Sequence, residues 1–120
     1  MSALICGSLA YDTIMVFPER FKDHILPDKV HMLNVSFLVP EMRRQFGGVA
    51  GNIAYNLASL GTTVQLVSAT GALDDQRYLE RLASLNIERE NCMRVDGAYT
   101  PRAVIITDAQ GHQFTGFFPG

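Results

Sequence analysis

The chain has 120 residues, the usual size of one domain, with 10 basic and 12 acidic residues and a net charge of -2, a balance that gives no sign of an electropositive nucleic-acid binder. Apolar residues make up 48% of it and are spread along its whole length, so one core is expected, without a disordered tail or a low-complexity segment. No basic leader and no membrane-length apolar run is visible, and the two cysteines show no CxxC spacing, so a soluble, cytoplasmic protein with neither nucleic acid nor membrane as partner is expected.

Residues 3–6 are a short apolar run that ends in Gly7-Ser8, the pattern of a buried strand, Cys6 included, that closes in a site-forming turn. A second apolar run follows at 13–16, and then FPERFKDHILPDK, with two prolines and mixed charges, reads as an irregular excursion. Residues 31–39, HMLNVSFLV, alternate as a half-exposed strand with Leu33, Val35, Phe37 and Val39 on its apolar side, and Pro40 stops it. That apolar side predicts a buried contact or a contact between subunits.

The stretch FGGVAGNIAYNLASLG opens with crowded glycines and continues as a helix over about 50–60, with Ile53, Leu57 and Leu60 at i, i+4 and i+7 and Gly61 at the C′ position. Residues 62–71 return to β-branched side chains and end in a small-residue turn, so strand, helix and strand follow in order. Asp74 or Asp75 can cap a second helix with Tyr78, Leu79, Leu82 and Leu85 on one face, whose charged residues 74–81 read as a solvated face. A short strand near 92–95 comes next, and residues 104–107 and 113–117 form a hairpin around Asp108-Ala109-Gln110-Gly111. The alternating units predict a layered α/β core, and the strands without intervening helices predict a small second sheet placed like a lid. A parallel sheet closing at FFPG leaves an edge and a face that more chain would cover, which predicts that further chain belongs to this domain.

In an open α/β sheet, ligands bind beyond the carboxyl ends of the strands, which places Ser8 and Asp12 to meet one. An ionised carboxylate accepts hydrogen bonds only, so one Asp can hold two neighbouring hydroxyls of a sugar; the competing reading is that Asp12 supports a turn. Gly47-Gly48 lets backbone come close to a ligand, the following helix start leaves N–H groups unpaired and aimed at it, and Asn52 points an amide toward the same spot. A flexible connector with a surface Asn52 is the plainer alternative. The glycines form neither GxGxxG nor a phosphate loop, since no GK[ST] follows, and a nicotinamide-binding protein is disfavoured because the first strand lacks a glycine fingerprint. His24, His31 and His112 have no companion ligands at metal spacing, so no metal site is expected. Phe114, Phe117 and Phe118 either stack on a base or pack the hairpin.

GGVAGNIAYNLASLGTTVQLVSATG, residues 47–71, resembles the first signature of the ribokinase-like (PfkB) carbohydrate kinases, with Asn52, Ala54, Gly61 and Gly71 at the expected intervals. GSLAYD at 7–12 resembles that family's first strand and sugar-binding Asp. FPERF, LPDKVH, SFLVPEM and the terminal FFPG are most similar to bacterial adenosine kinases. The resemblance runs over the whole chain and implies a ribokinase-like three-layer α/β core, present in part, with a small β-sheet lid. Residues 1–120 would be the N-terminal part of the kinase domain, with core elements at about 1–12 and 46–97 and lid strands at about 13–40 and 100–118.

By this resemblance Ser8, Asp12, Gly47, Gly48 and Asn52 would hold the ribose, Ser36 of the lid would contact the nucleoside, and Phe117 would stack on the base. Ala103 stands where these adenosine kinases tend to place a second base-stacking aromatic, and Ala10 stands where ribokinases proper carry an Asn. The implied activity is ATP- and Mg²⁺-dependent transfer of a phosphoryl group to the 5′ or equivalent primary hydroxyl of a nucleoside or sugar. A homodimer meeting through the lid is part of the same expectation. The family's catalytic GAGD motif does not occur in these residues, so the catalytic Asp, the ATP site and the Mg²⁺ are expected beyond Gly120 and the chain alone is expected to be inactive. The other reading is a non-catalytic, truncated kinase-like module that binds a small ligand, or a partner through its lid sheet.

Overall fold

Val64 and Leu66 are buried while Thr63, Gln65 and Val67 between them are exposed, and this period of two builds the first sheet. The structure, a computed structural model, describes residues 1–32 and 34–120. Strand β1 (Ser2–Cys6) pairs parallel with β4 (Thr63–Gly71), which pairs parallel with β5 (Glu88–Val95). A second, four-stranded sheet has the order β3 (Glu41–Gly47), β2 (Ala10–Val16), β6 (Arg102–Thr107), β7 (Gln113–Phe118), with β2 and β6 parallel and the outer pairs antiparallel. Helices α1 (Val49–Ser59) and α2 (Gln76–Ser84) lie against the first sheet.

Both helices end by the same device. The N–H of Thr62 reaches the Leu57 carbonyl and that of Gly61 reaches Ala58, and in α2 the N–H groups of Ile87 and Asn86 reach Leu82 and Ala83 in the same pattern. Each closure needs a left-handed C′ residue, supplied by Gly61 at φ 85° and Asn86 at φ 56°.

The core of Leu9, Tyr11, Ala54, Leu66, Tyr78 and Leu82 fills the space between the first sheet, the two helices and the start of β2. On α1 the inward face is Ala50, Gly51 and Ala54, with Leu57 half-buried, whereas Ile53 and Leu60 are exposed. The expected face of Ile53, Leu57 and Leu60 is thus corrected. Close approach of the helix to β4, β1 and Tyr78 leaves room only for small side chains.

Cys6 is exposed rather than buried, and it shares one sheet face with Leu4 and Val67, both exposed. Helices cover only the other face, so the described residues supply two of the three expected layers.

Residues 34–40 form no strand, contrary to expectation, and β3, the second strand of this sheet in chain order, starts after Pro40. The expected alternation is nonetheless present: Val35, Phe37 and Val39 are half-buried, and Asn34, Ser36 and Leu38 are exposed. Leu33, assigned to the same apolar side, lies outside the described residues. Phe37 packs on Phe17, Phe21 and Phe114 at centroid distances of 4.8, 4.9 and 6.1 Å, so stacking rather than ladder hydrogen bonds holds this segment. β3 was hidden because EMRRQ is charged, a composition suited to the edge of a sheet.

Of the charged residues 74–81, Arg77 and Glu80 are exposed as expected and Asp74 and Arg81 are half-buried, but Asp75 lies inside. Asp75 is fully buried, accepts two hydrogen bonds from Arg94 at 2.8 Å and one from Thr70 at 2.8 Å, and thereby ties α2 to β5 and β4. Hydrogen bonding to Arg94 holds its carboxyl below the ordinary 3.8, against the opposing effect of burial. A carboxyl with a depressed folded pKa stabilises the fold above its unfolded pKa and loses that contribution as pH falls through the folded pKa. Thermal melts between pH 7 and pH 2 are therefore expected to show stability dropping only below about pH 4. Asp75→Asn is expected to cost about 2 kcal/mol at pH 7, since Arg94 is half exposed, and to flatten the acid limb. An unchanged acid limb in the variant would refute the assignment.

Candidate acceptor site

The chain passes between the two sheets at Gly7–Ala10, Gly47–Val49 and Tyr99–Pro101, and the first two crossings meet. A side chain on Gly48, whose φ is 88°, would collide with the Ser8 carbonyl and stand 2.8 Å from the Ala10 nitrogen. The glycine is therefore what lets the two crossings touch. The Ser8 carbonyl accepts the N–H groups of Ala50 and Gly51 at 3.1 and 3.4 Å, and its Oγ accepts Val49 N–H at 3.2 Å. The expected unpaired N–H groups at the start of α1 are thus already satisfied by Ser8, because β1 leads directly under the helix.

Asp12 is half-buried on β2, opposite Gln45 of β3 and Ala103 of β6. A Cβ on Gly47 would stand 2.6 Å from its Oδ2, so the carboxylate lies over the bare backbone of Gly47. The other carboxylates that are not exposed are occupied. Asp74 accepts the Thr100 N–H and pairs with Arg102, Asp75 holds Arg94 and Thr70, and Asp108 accepts the N–H groups of Phe21, Gln110 and His112. Among the described residues Asp12 alone of this group has no protein partner. Its oxygens are not among the buried ones, so its acceptor capacity is open to solvent or to a ligand.

Ala103 in turn pairs with Phe117 of β7. Directly opposed residues share a sheet face, so Gln45, Asp12, Ala103 and Phe117 form one row across four strands. Neighbouring strands are about 4.8 Å apart, which puts Phe117 roughly 10 Å from Asp12. Phe117 is 68% exposed, its ring uncovered by the rest of the hairpin, whereas Phe114 packs on Phe21 at 4.7 Å.

The structure brings together Ser8, Asp12, Gly47 and Gly48 and puts Phe117 on the same row. Asn52 sits exposed in the first turn of α1 and borders the cleft between the two helices beside Tyr55, Tyr78 and Arg81. Ser36 is exposed on the unpaired 34–40 segment and is not joined to the row. Sequence reasoning missed Gln45, for which only strand register is informative, and Gly51, whose bare Cα admits Tyr78.

The described residues do not fit Mg²⁺. Among the described residues no group of three His, Cys, Asp or Glu could hold a metal ion, and no glycine loop is followed by GK[ST]. No helix among them is long and apolar enough to cross a membrane.

Residues 8–120 match the family described as pfkB family carbohydrate kinase. A nucleoside kinase of Methanothermobacter thermautotrophicus is 35% identical over 118 residues, which cover 98% of this chain and 35% of that protein. The solved nucleoside kinase of Burkholderia thailandensis in complex with inosine aligns with a TM-score of 0.80 at 48% identity, over 98% of this chain and 36% of that one. The Methanocaldococcus jannaschii nucleoside kinase, described as an archaeal member of the ribokinase family, aligns with a TM-score of 0.79 at 28% identity, over 96% and 36%. The chain thus spans about a third of the length of these relatives.

Proposed function

Because the chain belongs to the pfkB family of carbohydrate kinases, we propose that it is the N-terminal, acceptor-binding part of a kinase that phosphorylates the primary hydroxyl of a nucleoside. The observation that carries the reading is the Asp12 row: a half-buried carboxylate without a protein partner among the described residues, with an uncovered phenyl ring two strands away on the same face. Asp12 accepts hydrogen bonds from two neighbouring ribose hydroxyls, which fixes the sugar and directs its 5′ hydroxyl away from the carboxylate. The bare backbone of Gly47 and Gly48 and the hydroxyl of Ser8 allow the sugar to approach, and Phe117 stacks on the base; the roles that the resemblance implies for Asn52 and Ser36 have no support from this row. The nucleoside kinases among the relatives, one of them with inosine bound, support a nucleoside over a free sugar.

ATP, when bound, supplies the phosphoryl group. Its site, its Mg²⁺ and the base that removes the hydroxyl proton belong in this reading to chain outside these 120 residues, which hold no GxGD. The residues of the second sheet act as the lid that excludes water from the transfer. Ile14, Val16 and Ile105, half-buried on the face of Asp12, support a homodimer through that lid. The free thiols of Cys6 and Cys92 support a reducing, cytoplasmic compartment.

Calorimetry on the full-length protein with inosine, adenosine, ribose and fructose tests the reading, and nucleosides are expected to bind more tightly than free sugars. Stacking on an aromatic ring is worth about 1–3 kcal/mol per base, so Phe117→Ala is expected to weaken nucleosides by about 5- to 150-fold and to leave ribose unchanged. Failure to bind any nucleoside, or an equal loss for ribose in the variant, would overturn it.

A further inference from the structure

Tyr78, on the first turn of α2, is 2% exposed, and its hydroxyl donates a hydrogen bond of 2.5 Å to the Gly47 carbonyl. Its ring is held by Phe46 at 5.1 Å and Tyr11 at 5.6 Å, while its N–H donates to the Tyr11 hydroxyl at 3.3 Å, which donates onward to the Asp74 carbonyl at 2.8 Å. A methyl group on Gly51 would collide with the Tyr78 hydroxyl, so the helix keeps a bare Cα where the phenol must enter. Burial, with smaller contributions from Tyr11 and the charge of Asp12, pushes the phenol up to about 12, so it remains a donor throughout the physiological range.

Gly47 is the last residue of β3, in register with Ala10 of β2, and the peptide that joins it to Gly48 is where the chain leaves the ladder, between two glycines whose backbone freedom leaves its orientation weakly determined by local sterics. A trans peptide holds its C=O and the next N–H on opposite sides, and the chain has no cis bond among the described residues. Turning the Gly47 carbonyl toward Tyr78 therefore turns the Gly48 N–H away from the core. The Asp12 carboxylate closes over the Cα of Gly47 from its own side. Gly47 is thus held between the phenol and the carboxylate.

We propose that Tyr78 is a positioning residue for acceptor binding: its hydroxyl fixes the Gly47–Gly48 peptide so that the Gly48 N–H is presented outward, as a donor to the acceptor beside Asp12. The inference rests on the reading of Asp12 and Gly48 as the acceptor site. Tyr78 touches no substrate in this role; it selects one of the orientations that two adjacent glycines leave open, and so organises the donor before the acceptor arrives.

The test uses the full-length protein, with inosine as the acceptor, and compares Tyr78→Phe with Asp12→Asn. Phenylalanine keeps the ring packing and removes only the hydroxyl. Expected for Tyr78→Phe are a rise of about tenfold in the inosine KM, an unchanged ATP KM, and faster hydrogen exchange at the Gly48 amide in the inosine complex. Gly51→Ala is expected to raise the inosine KM in the parent and to have a smaller effect on top of Tyr78→Phe, where the added methyl no longer meets a hydroxyl.

If Tyr78→Phe leaves the inosine KM and the Gly48 amide unchanged while Asp12→Asn raises the KM, the positioning role is overturned and the acceptor-site reading stands. If neither variant changes the inosine KM, the acceptor-site reading falls and the inference with it. A parallel loss of melting temperature, inosine affinity and ATP affinity in Tyr78→Phe would make the residue merely structural and would also overturn the inference.

Discussion

Asp12→Asn in the full-length protein is expected to lower kcat/KM for a nucleoside by about 10²- to 10³-fold while leaving the melting temperature unchanged. The two halves of this result come from the same observation. The Asp12 carboxylate has no hydrogen bond to protein among the described residues, unlike Asp74, Asp75 and Asp108, so its charge contributes little to folding. Toward an acceptor, a hydrogen bond to a charged group is worth about 1.5–3 kcal/mol. Loss of two such bonds, with one weaker contact kept by the amide oxygen, corresponds to about 3–4 kcal/mol. Steady-state kinetics beside thermal melts separate this from the competing role of Asp12 as a turn support. A turn support would lower the melting temperature and spare the kinetics, and that outcome would remove Asp12 from the site.

Gly48→Ala is expected to destabilise the fold by about 3 kcal/mol or more and to abolish acceptor binding. At φ 88° and ψ 146° the backbone is outside the range of an alanine, and the added carbon would run into the Ser8 carbonyl with the Ala10 nitrogen at 2.8 Å. Neither neighbour can move cheaply. The Ser8 carbonyl holds the first N–H groups of α1, and Ala10 starts β2 in register with Gly47. Gly61→Ala is the control: its φ is 85°, but nothing lies within 4 Å of the added carbon, so only the left-handed penalty of about 1 kcal/mol applies. Urea melts of both variants would resolve the difference. Equal losses would mean that the crossing at Gly48 is not tight.

Elements with strong local patterns were legible in the residues. α1 with Gly61 after it, β4 with its alternation and the closing hairpin each combine periodicity with an adequate stop signal, and the structure places them within a residue or two of expectation. β3 was not legible because an edge strand needs no apolar alternation, and EMRRQFG carries almost none. The 34–39 segment misled for the opposite reason: its apolar side chains do turn inward, but onto Phe17, Phe21 and Phe114 rather than into a ladder. Asp75 looked like a surface cap because a sequence shows charge and not partners; Arg94, 19 residues away, neutralises it inside the fold.

The sequence by itself determined the order of the elements from α1 onward, the glycine junction before α1 and the family to which the spacing of Asn52, Gly61 and Gly71 points. These depend on backbone freedom and side-chain periodicity over a few residues, which a local stretch carries in full. Only the tertiary structure decided that Ser8 closes the start of α1, that Asp12 lies over Gly47 with no protein partner among the described residues, that Phe117 shares its row, and that Tyr78 holds the Gly47 carbonyl. Each of those facts joins residues 31 to 105 positions apart by strand register or helix packing. Register and packing are settled by which faces are buried together, a property of the assembled sheets that no short stretch contains.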